Sequence, residues 1–275
     1  MPQTTYPRVL VFDSGLGGLT VLRRLREAAP EAAYTYLADD ACFPYGALSD
    51  QALIARTGEV VGRAIATHAP DAVVIACNTA STAVLPHLRA AHAVPFIGTV
   101  PAVKPAAQLS QSGMISVLAT PATVRRDYTH ALIAAHGSGA DFTLAGSASL
   151  AGLAEAVMAG AEVTDEAIAA EIAPCFVEQG GRRTDVVVLA CTHYPLVIER
   201  LTRLAPWPVT WLDPAPAIAR RTANVLAERG FAVGVGAGAG ARGRMVFTSG
   251  KAPSPAMAQV LERHGLELAN AGQCG

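Results

Sequence analysis

DAVVIACNTASTAVLPHL, from Asp71 to Leu88, and DVVVLACTHYPLVIERL, from Asp185 to Leu201, carry one pattern twice. Each opens on aspartate, runs through a short β-branched stretch to Ala-Cys, passes a polar turn and enters a segment with apolar residues at helical spacing. A single matching strand is common by chance. A match that extends from the aspartate into the helix is not, and it points to two related α/β halves.

The same alternation continues on both sides of these stretches. Strands are predicted at Arg8–Ser14, Ala33–Asp39, Ala72–Cys77, Pro95–Val100, Met114–Thr120, Asp141–Gly146, Asp185–Cys191, Val209–Asp213 and Met245–Gly250. Between them, segments such as Leu19–Ala29, Ser49–His68 and Pro195–Leu204 repeat apolar residues at helical intervals. Strands alternating with helices predict mainly parallel sheets, and the continuous apolar strands predict that helices cover both faces. If the two halves face each other, the carboxyl ends of their strands bound one crevice, where open α/β sheets hold ligands. Cys77 and Cys191 then approach one small molecule from opposite sides.

Composition narrows the function classes. The 275 residues are 51% hydrophobic, enough for one large core or two small ones. The least charged long stretch, Pro105 to Val124, contains Gln108, Ser110, Gln111, Ser112 and two prolines. It is a poor membrane span, which needs about 20 predominantly apolar residues. MPQTTYPRVLVFD has no basic region followed by an apolar core, so no secretory signal is visible and a cytoplasmic location is expected. The net charge of −1 and scattered basic residues give no reason to expect nucleic acid or an anionic membrane as partner. Monomer and homodimer both fit the pattern.

The five cysteines are Cys42, Cys77, Cys175, Cys191 and Cys274. An odd number in such a chain is no disulfide framework, and no two lie two to four residues apart as in a zinc ribbon. Cys77, in CNTAS, ends a strand just before a helix N-terminus, where the helix dipole favours thiolate; Asn78 and Thr79 add polar groups beside it. A buried structural cysteine is the ordinary reading of a lone thiol. A second thiol at the matching position, in CTHYP, weighs against it. There Thr192 parallels Thr79, and His193 is close enough to tune or protonate a group in the same pocket. Two alternatives stand beside this reading. Cys191 and His193 could ligate a metal, although no further ligands lie at a matching spacing; a Cys-His hydrolase would leave the second cysteine idle. Cys42 lies near a turn, Cys175 in a helical pattern and Cys274 in a polar tail.

Three further segments carry polar groups at strand ends. In DSGLGG, Asp13 to Gly18, Ser14 can cap a helix and the glycines expose backbone N–H groups suited to a carboxylate. Asp13 could accept from an ammonium group or orient a nearby thiol. FPYG, Phe43 to Gly46, offers Tyr45 as an aromatic wall with a polar tip and Gly46 as backbone open to a ligand. Thr120 and Thr123 read equally as helix caps or carboxylate binders, and Glu155 and Asp213 as solvated or capping carboxylates. The run Ala232–Gly243 contains GVGAGAG but lacks the strand, helix and downstream acid of a dinucleotide site, so it reads as a flexible loop.

These motifs together resemble the glutamate racemase family. VFDSGLGGLTVL, PYG, VIACNTAS, VPAVKPA, TPATVRRDY in modified form, VLACTHYPL and FTSG occur in the family's order from Val9 to Gly250, and the CNT and CTHYP pair is the most specific part. The resemblance implies an α/β fold of two pseudo-symmetric domains with mainly parallel sheets, flanked by helices, and an active site in the interdomain crevice. It places 1–97 with 209–275 in the first domain and 98–208 in the second. It implies racemisation between L- and D-glutamate without cofactor or metal, D-glutamate serving peptidoglycan synthesis. Cys77 and Cys191 become the proton donor and acceptor, Cys77 acting on D-glutamate and Cys191 on L-glutamate. Asp13, Ser14, Tyr45, Gly46, Asn78, Thr79, Thr192 and His193 surround the substrate, and Glu155 is the candidate assisting acid of the second domain. VPAVKPA and GSASLAGLAEA look like the subgroup regulated by a nucleotide-linked cell-wall precursor. ADDACFPYG, ATPATVRR and Pro214 depart from the family's usual pattern; none of them touches the cysteine motifs.

Two opposed thiols suit this chemistry because an α-proton must leave one face and a proton return to the other, and neither base has to move. A relative acting on aspartate or another small acid is the near rival. A two-lobed amino-acid-binding protein without catalysis is the rival of another class.

Overall fold

The computed structural model describes residues 6–234 and 243–269. Two expectations, the loop at Ala232–Gly243 for the most part and the tail carrying Cys274, lie outside the described residues. The chain divides into two compact units, Met1–Thr99 with Ala215–Gly275, and Val100–Pro214.

The first unit begins with β1 (Arg8–Asp13), α1 (Leu19–Ala28), β2 (Ala33–Ala38), α2 (Asp50–His68), β3 (Ala72–Ile75), α3 (Asn78–Ala91) and β4 (Phe96–Gly98). The second runs through α4 (Val103–Leu109), β5 (Met114–Ala119), α5 (Pro121–Arg125), α6 (Asp127–His136), β6 (Asp141–Gly146), α7 (Leu150–Met158) and α8 (Asp165–Ile172). It continues with β7 (Glu178–Gln179), β8 (Arg182–Arg183), β9 (Val186–Ala190), α9 (Ile198–Leu204) and β10 (Thr210–Leu212). The chain then returns to the first unit with α10 (Ala215–Glu228), β11 (Gly243–Phe247), α11 (Pro255–Arg263) and β12 (Leu266–Leu268). No described helix is long and apolar enough to cross a membrane.

In the first unit all strands are parallel, in the order β12-β11-β2-β1-β3-β4. In β1 every residue after Arg8 is buried, as expected of a central strand covered on both faces. Leu10 and Phe12 pack in one cluster with Val73 and Ile75 of β3, Val60 and Val61 of α2 and Val84 and Leu88 of α3. The alternate residues Val9, Val11 and Val74 are equally buried and face the other way, because successive strand side chains point to opposite faces. Ser49 caps α2 by accepting a hydrogen bond from the Ala52 amide at 3.2 Å.

The second unit has a parallel sheet in the order β10-β9-β5-β6, with β7 and β8 as a separate antiparallel pair. The two sheets share one scheme. From β1 the chain passes to β2 on one side, then to β3 and β4 on the other; from β5 it passes to β6, then to β9 and β10. The direction of winding therefore reverses between β1 and β3 and between β5 and β9, the positions where such sheets hold ligands. The repeated sequence stretches form β3 and β9, the same strand of each scheme. Their opening aspartates do the same job. Asp71 accepts from the Arg8 amide at 2.8 Å, and Asp185 from the Gln111 and Ser112 amides at 2.7 and 2.8 Å, so each ties its strand to the segment leading into the neighbouring one.

The return to the first unit falls at Ala215 rather than at residue 209, because Thr210–Leu212 pairs with Val186–Val188 of β9. A three-residue strand carries no mark of the sheet it will join, since that choice rests on a long-range partner. The forward crossing lies at residue 100 against an expected 98.

Candidate active site

At the carboxyl end of β1 the chain turns through DSGLGG into α1. Asp13, fully buried, accepts from the Ser14 amide at 2.8 Å and the Gly18 amide at 2.6 Å, closing the turn on itself. The Ser14 hydroxyl then lies 3.7 Å from the Cys77 sulfur. Gly18 is required by close approach: a Cβ there would stand 2.8 Å from the Tyr36 hydroxyl and 3.0 Å from the Ala76 Cβ. Tyr36 cannot retreat easily, being fully buried and donating to the Gly15 carbonyl at 3.0 Å. Gly18→Ala is therefore expected to cost about 1–3 kcal/mol by overpacking, read as lost stability in urea. A change of under about 0.5 kcal/mol would show that the turn yields.

Cys77 follows β3 and Ala76 and occupies the cap position of α3 in extended backbone, its side chain buried. The first amides of a helix lack partners within it, so the thiol stands beside a cluster of unsaturated donors. Asn78 and Thr79 are also buried. Neither polar atom of the Asn78 side chain has a hydrogen-bond partner among the described residues, an arrangement that calls for a polar ligand. Behind them, Ser81 donates to the Ile75 carbonyl and accepts from the Thr99 amide, both at 2.9 Å, fixing the start of α3 against its strand.

Tyr45 packs in the cluster that contains Phe12 and Cys77. The ring is buried in that cluster, and the hydroxyl is donated to Asp39 at 2.5 Å. Burial and Asp39 push its pKa far above the ordinary phenol value. Gly46 beside it is half-buried.

The second unit repeats the plan around Cys191, which follows β9 and is buried. The His193 Nδ1 lies 3.8 Å from its sulfur, and the His193 Nε2 lies 2.8 Å from Glu155 Oε1 on α7. With the carboxylate accepting from Nε2–H, a neutral imidazole presents Nδ1 as acceptor toward the thiol. Glu155, which local sequence left as an ordinary surface acid, thus orients the histidine. Thr192 is buried beside them. Burial, with Cys191 next in effect, holds the Tyr194 phenol neutral. Thr120, at the end of β5, caps α5 through the Thr123 amide at 3.4 Å, and the two hydroxyls are 3.1 Å apart.

The anticipated residues thus gather in two groups, one per unit: Asp13, Ser14, Tyr45, Gly46, Cys77, Asn78 and Thr79, and Glu155, Cys191, Thr192 and His193. Cys175 is fully buried, and burial pushes its thiol up to about 12, where it stays protonated. Among the described residues, no three His, Cys, Asp or Glu side chains gather as a metal centre requires. Asp39, which accepts from the Tyr45 hydroxyl, is itself held by Arg56 and Thr248, and none of the three stands out as a site residue in the sequence. ADDACFPYG stood out there, but only as a departure from a pattern.

Residues 16–222 match the family model described as Asp/Glu/Hydantoin racemase. The chain is 50% identical over 277 residues to the glutamate racemase of Sinorhizobium medicae, covering 100% of both chains. It is 49% identical to that of Brucella ovis, covering 94% of this chain and 93% of the relative. Among solved structures it superposes on Escherichia coli glutamate racemase, in complex with L-glutamate and the activator UDP-MurNAc-Ala. The TM-score is 0.83 at 38% identity, covering 96% of this chain and 97% of that one.

Proposed function

The chain belongs to the Asp/Glu/hydantoin racemase family, among its glutamate racemases, and on that premise we propose that Cys77 and Cys191 are the acid–base pair that inverts glutamate. The observation that carries this is topological. Each thiol follows the same strand of two sheets wound alike, and each has a polar partner at its sulfur, Ser14 for one and His193 for the other. Inert core cysteines have no need of either.

In the proposed reaction one cysteine starts as thiolate and the other as thiol. The thiolate takes the Cα proton from one face, leaving the bonding pair on carbon, and the second thiol protonates the opposite face. The product leaves the two sulfurs with exchanged protonation states, ready for the reverse enantiomer. Cys77 acts on D-glutamate and Cys191 on L-glutamate. Asn78, with an unpartnered amide, and the first amides of α3 are suited to stabilise charge on the substrate carboxylate as the carbanion forms. Thr79, Thr192, Ser14 and the Tyr45–Gly46 backbone complete the binding groups. His193, oriented by Glu155, accepts from or returns a proton to Cys191. Asp13 holds the turn that presents Ser14.

The reading needs no cofactor and assigns the product, D-glutamate, to peptidoglycan synthesis in the cytoplasm. It includes a nucleotide-linked cell-wall precursor as effector, since the Escherichia coli relative was solved with UDP-MurNAc-Ala as activator. The test is incubation of pure L-glutamate in D2O with a chelator and without pyridoxal phosphate, followed by chiral analysis and mass spectrometry. The expected result is an approach to equal enantiomers with one deuterium at Cα of the D product. Inversion that requires added metal or pyridoxal phosphate, or that occurs with aspartate and not glutamate, would overturn the reading.

A further inference from the structure

The second side of Tyr45 belongs to a cluster that the proposed chemistry does not use. Asp39, directly after β2, is fully buried, and its carboxylate accepts four hydrogen bonds. Arg56 on α2 donates from Nη2 to Oδ1 at 2.6 Å and from Nε to Oδ2 at 2.9 Å, a bidentate pair. Tyr45 donates to Oδ2 at 2.5 Å, and Thr248, directly after β11, donates to Oδ1 at 2.6 Å. The neighbouring Asp40 accepts from the Ser249 amide at 2.9 Å and from the Ser249 hydroxyl. The Asp39 amide in turn donates to the Asp13 carbonyl at 2.9 Å, beside the turn that carries Ser14.

Tyr45, Arg56 and, from far along the chain, Thr248 are thus fastened to one carboxylate, and the piece of chain they restrain is the loop that carries Tyr45 and Gly46. A buried ion pair is weak evidence for stability, since desolvating both partners offsets much of their attraction. Its definite effect is geometric. The planar guanidinium fixes the carboxylate, and the carboxylate fixes the tyrosine hydroxyl.

We propose that the Arg56–Asp39 pair is a positioning device for the substrate loop, holding Tyr45 and Gly46 against the Cys77 group before substrate arrives. The inference rests on the racemase reading of this site and adds Arg56, Asp39 and Thr248 to it as residues that act through Tyr45. A loop already in place spares the substrate the entropy of ordering it, so the device lowers KM and leaves the chemical step alone.

The test compares the full-length chain with Arg56→Gln, Arg56→Lys and Tyr45→Phe in steady-state racemisation of glutamate, alongside amide hydrogen exchange. Arg56→Gln should raise KM about tenfold with kcat within about threefold, the signature of lost uniform binding. Arg56→Lys, which keeps the charge but loses the fork, should fall between it and the parent. Exchange of the amides at residues 43–48 should quicken in Arg56→Gln while β1 and β3 stay protected. An unchanged KM, or unchanged exchange at 43–48, would overturn the proposal, as would a fall in kcat alone. If the glutamine variant does not fold, Tyr45→Phe decides: it should raise KM about threefold, and an unaltered KM counts against the device. A parent chain that leaves glutamate untouched defeats the racemase reading instead, and the exchange comparison still judges the restraint on the loop.

Discussion

Cys77→Ser and Cys191→Ser are each expected to slow racemisation of glutamate by about three orders of magnitude, within the range that a positioned acid or base supplies. Serine keeps nearly the same shape, so the loss reports chemistry rather than packing. Its hydroxyl neither ionises near neutrality nor gives up a proton as readily as a thiol. Because the two enantiomers of a racemase are equal in free energy, kcat/KM must fall equally in both directions whichever sulfur is removed. The asymmetry belongs to isotope exchange. In Cys191→Ser, solvent deuterium should still enter D-glutamate through Cys77 without inversion, and in Cys77→Ser it should enter L-glutamate through Cys191. Turnover within about tenfold of the parent in either variant would sink the two-thiol scheme.

Asp39→Ala should cost the first unit about 3–5 kcal/mol, the usual loss when one partner of a buried pair is removed. It strands the Arg56 cation, whose side chain is only 24% exposed, and removes the acceptor of both Tyr45 and Thr248. The loss should depend on pH with a definite sign. Burial opposes the Asp39 carboxylate, but hydrogen bonds from Arg56, Thr248 and Tyr45 outweigh it and hold its pKa below the ordinary value. A depressed carboxyl stabilises the fold above the unfolded value, about 4, and that stability is lost as pH falls through the folded one. The difference between Asp39→Ala and the parent should therefore be full at pH 7 and shrink below about pH 4. Chemical denaturation at the two pH values measures it. A deficit of under about 1 kcal/mol at neutrality would mean that the pair contributes little.

Much of this fold is legible in the sequence, and the errors share a cause. Eight of the nine anticipated strand segments extend past the ends of the strands they locate or coincide with them, and the overruns include Ser14, Asp39, Cys77, Thr120 and Cys191. Each of these has the side chain of a strand end but leaves the ladder to cap, turn or face a site. Leu266–Leu268 at a sheet edge, and the pairs Glu178–Gln179 and Arg182–Arg183, escaped because they are short and mostly exposed and so show no apolar run. The cysteines stood out because a motif was repeated. Arg56 did not, because one arginine on a helix resembles any solvated face, and its importance rests on a carboxylate that folding brings to it.

The discontinuous make-up of the first unit bears on the order of synthesis. The outer edge of β2 is closed by β11, with Thr35 opposite Arg244, so the nascent chain holds that edge open until long after β2 has left the ribosome. The second unit has all its strands between Met114 and Leu212 and can close while the first still waits. An unpaired parallel strand is a template for aggregation. The same late segment brings Thr248 to Asp39, so the loop around Tyr45 receives its last fastening only after the whole second unit has been made.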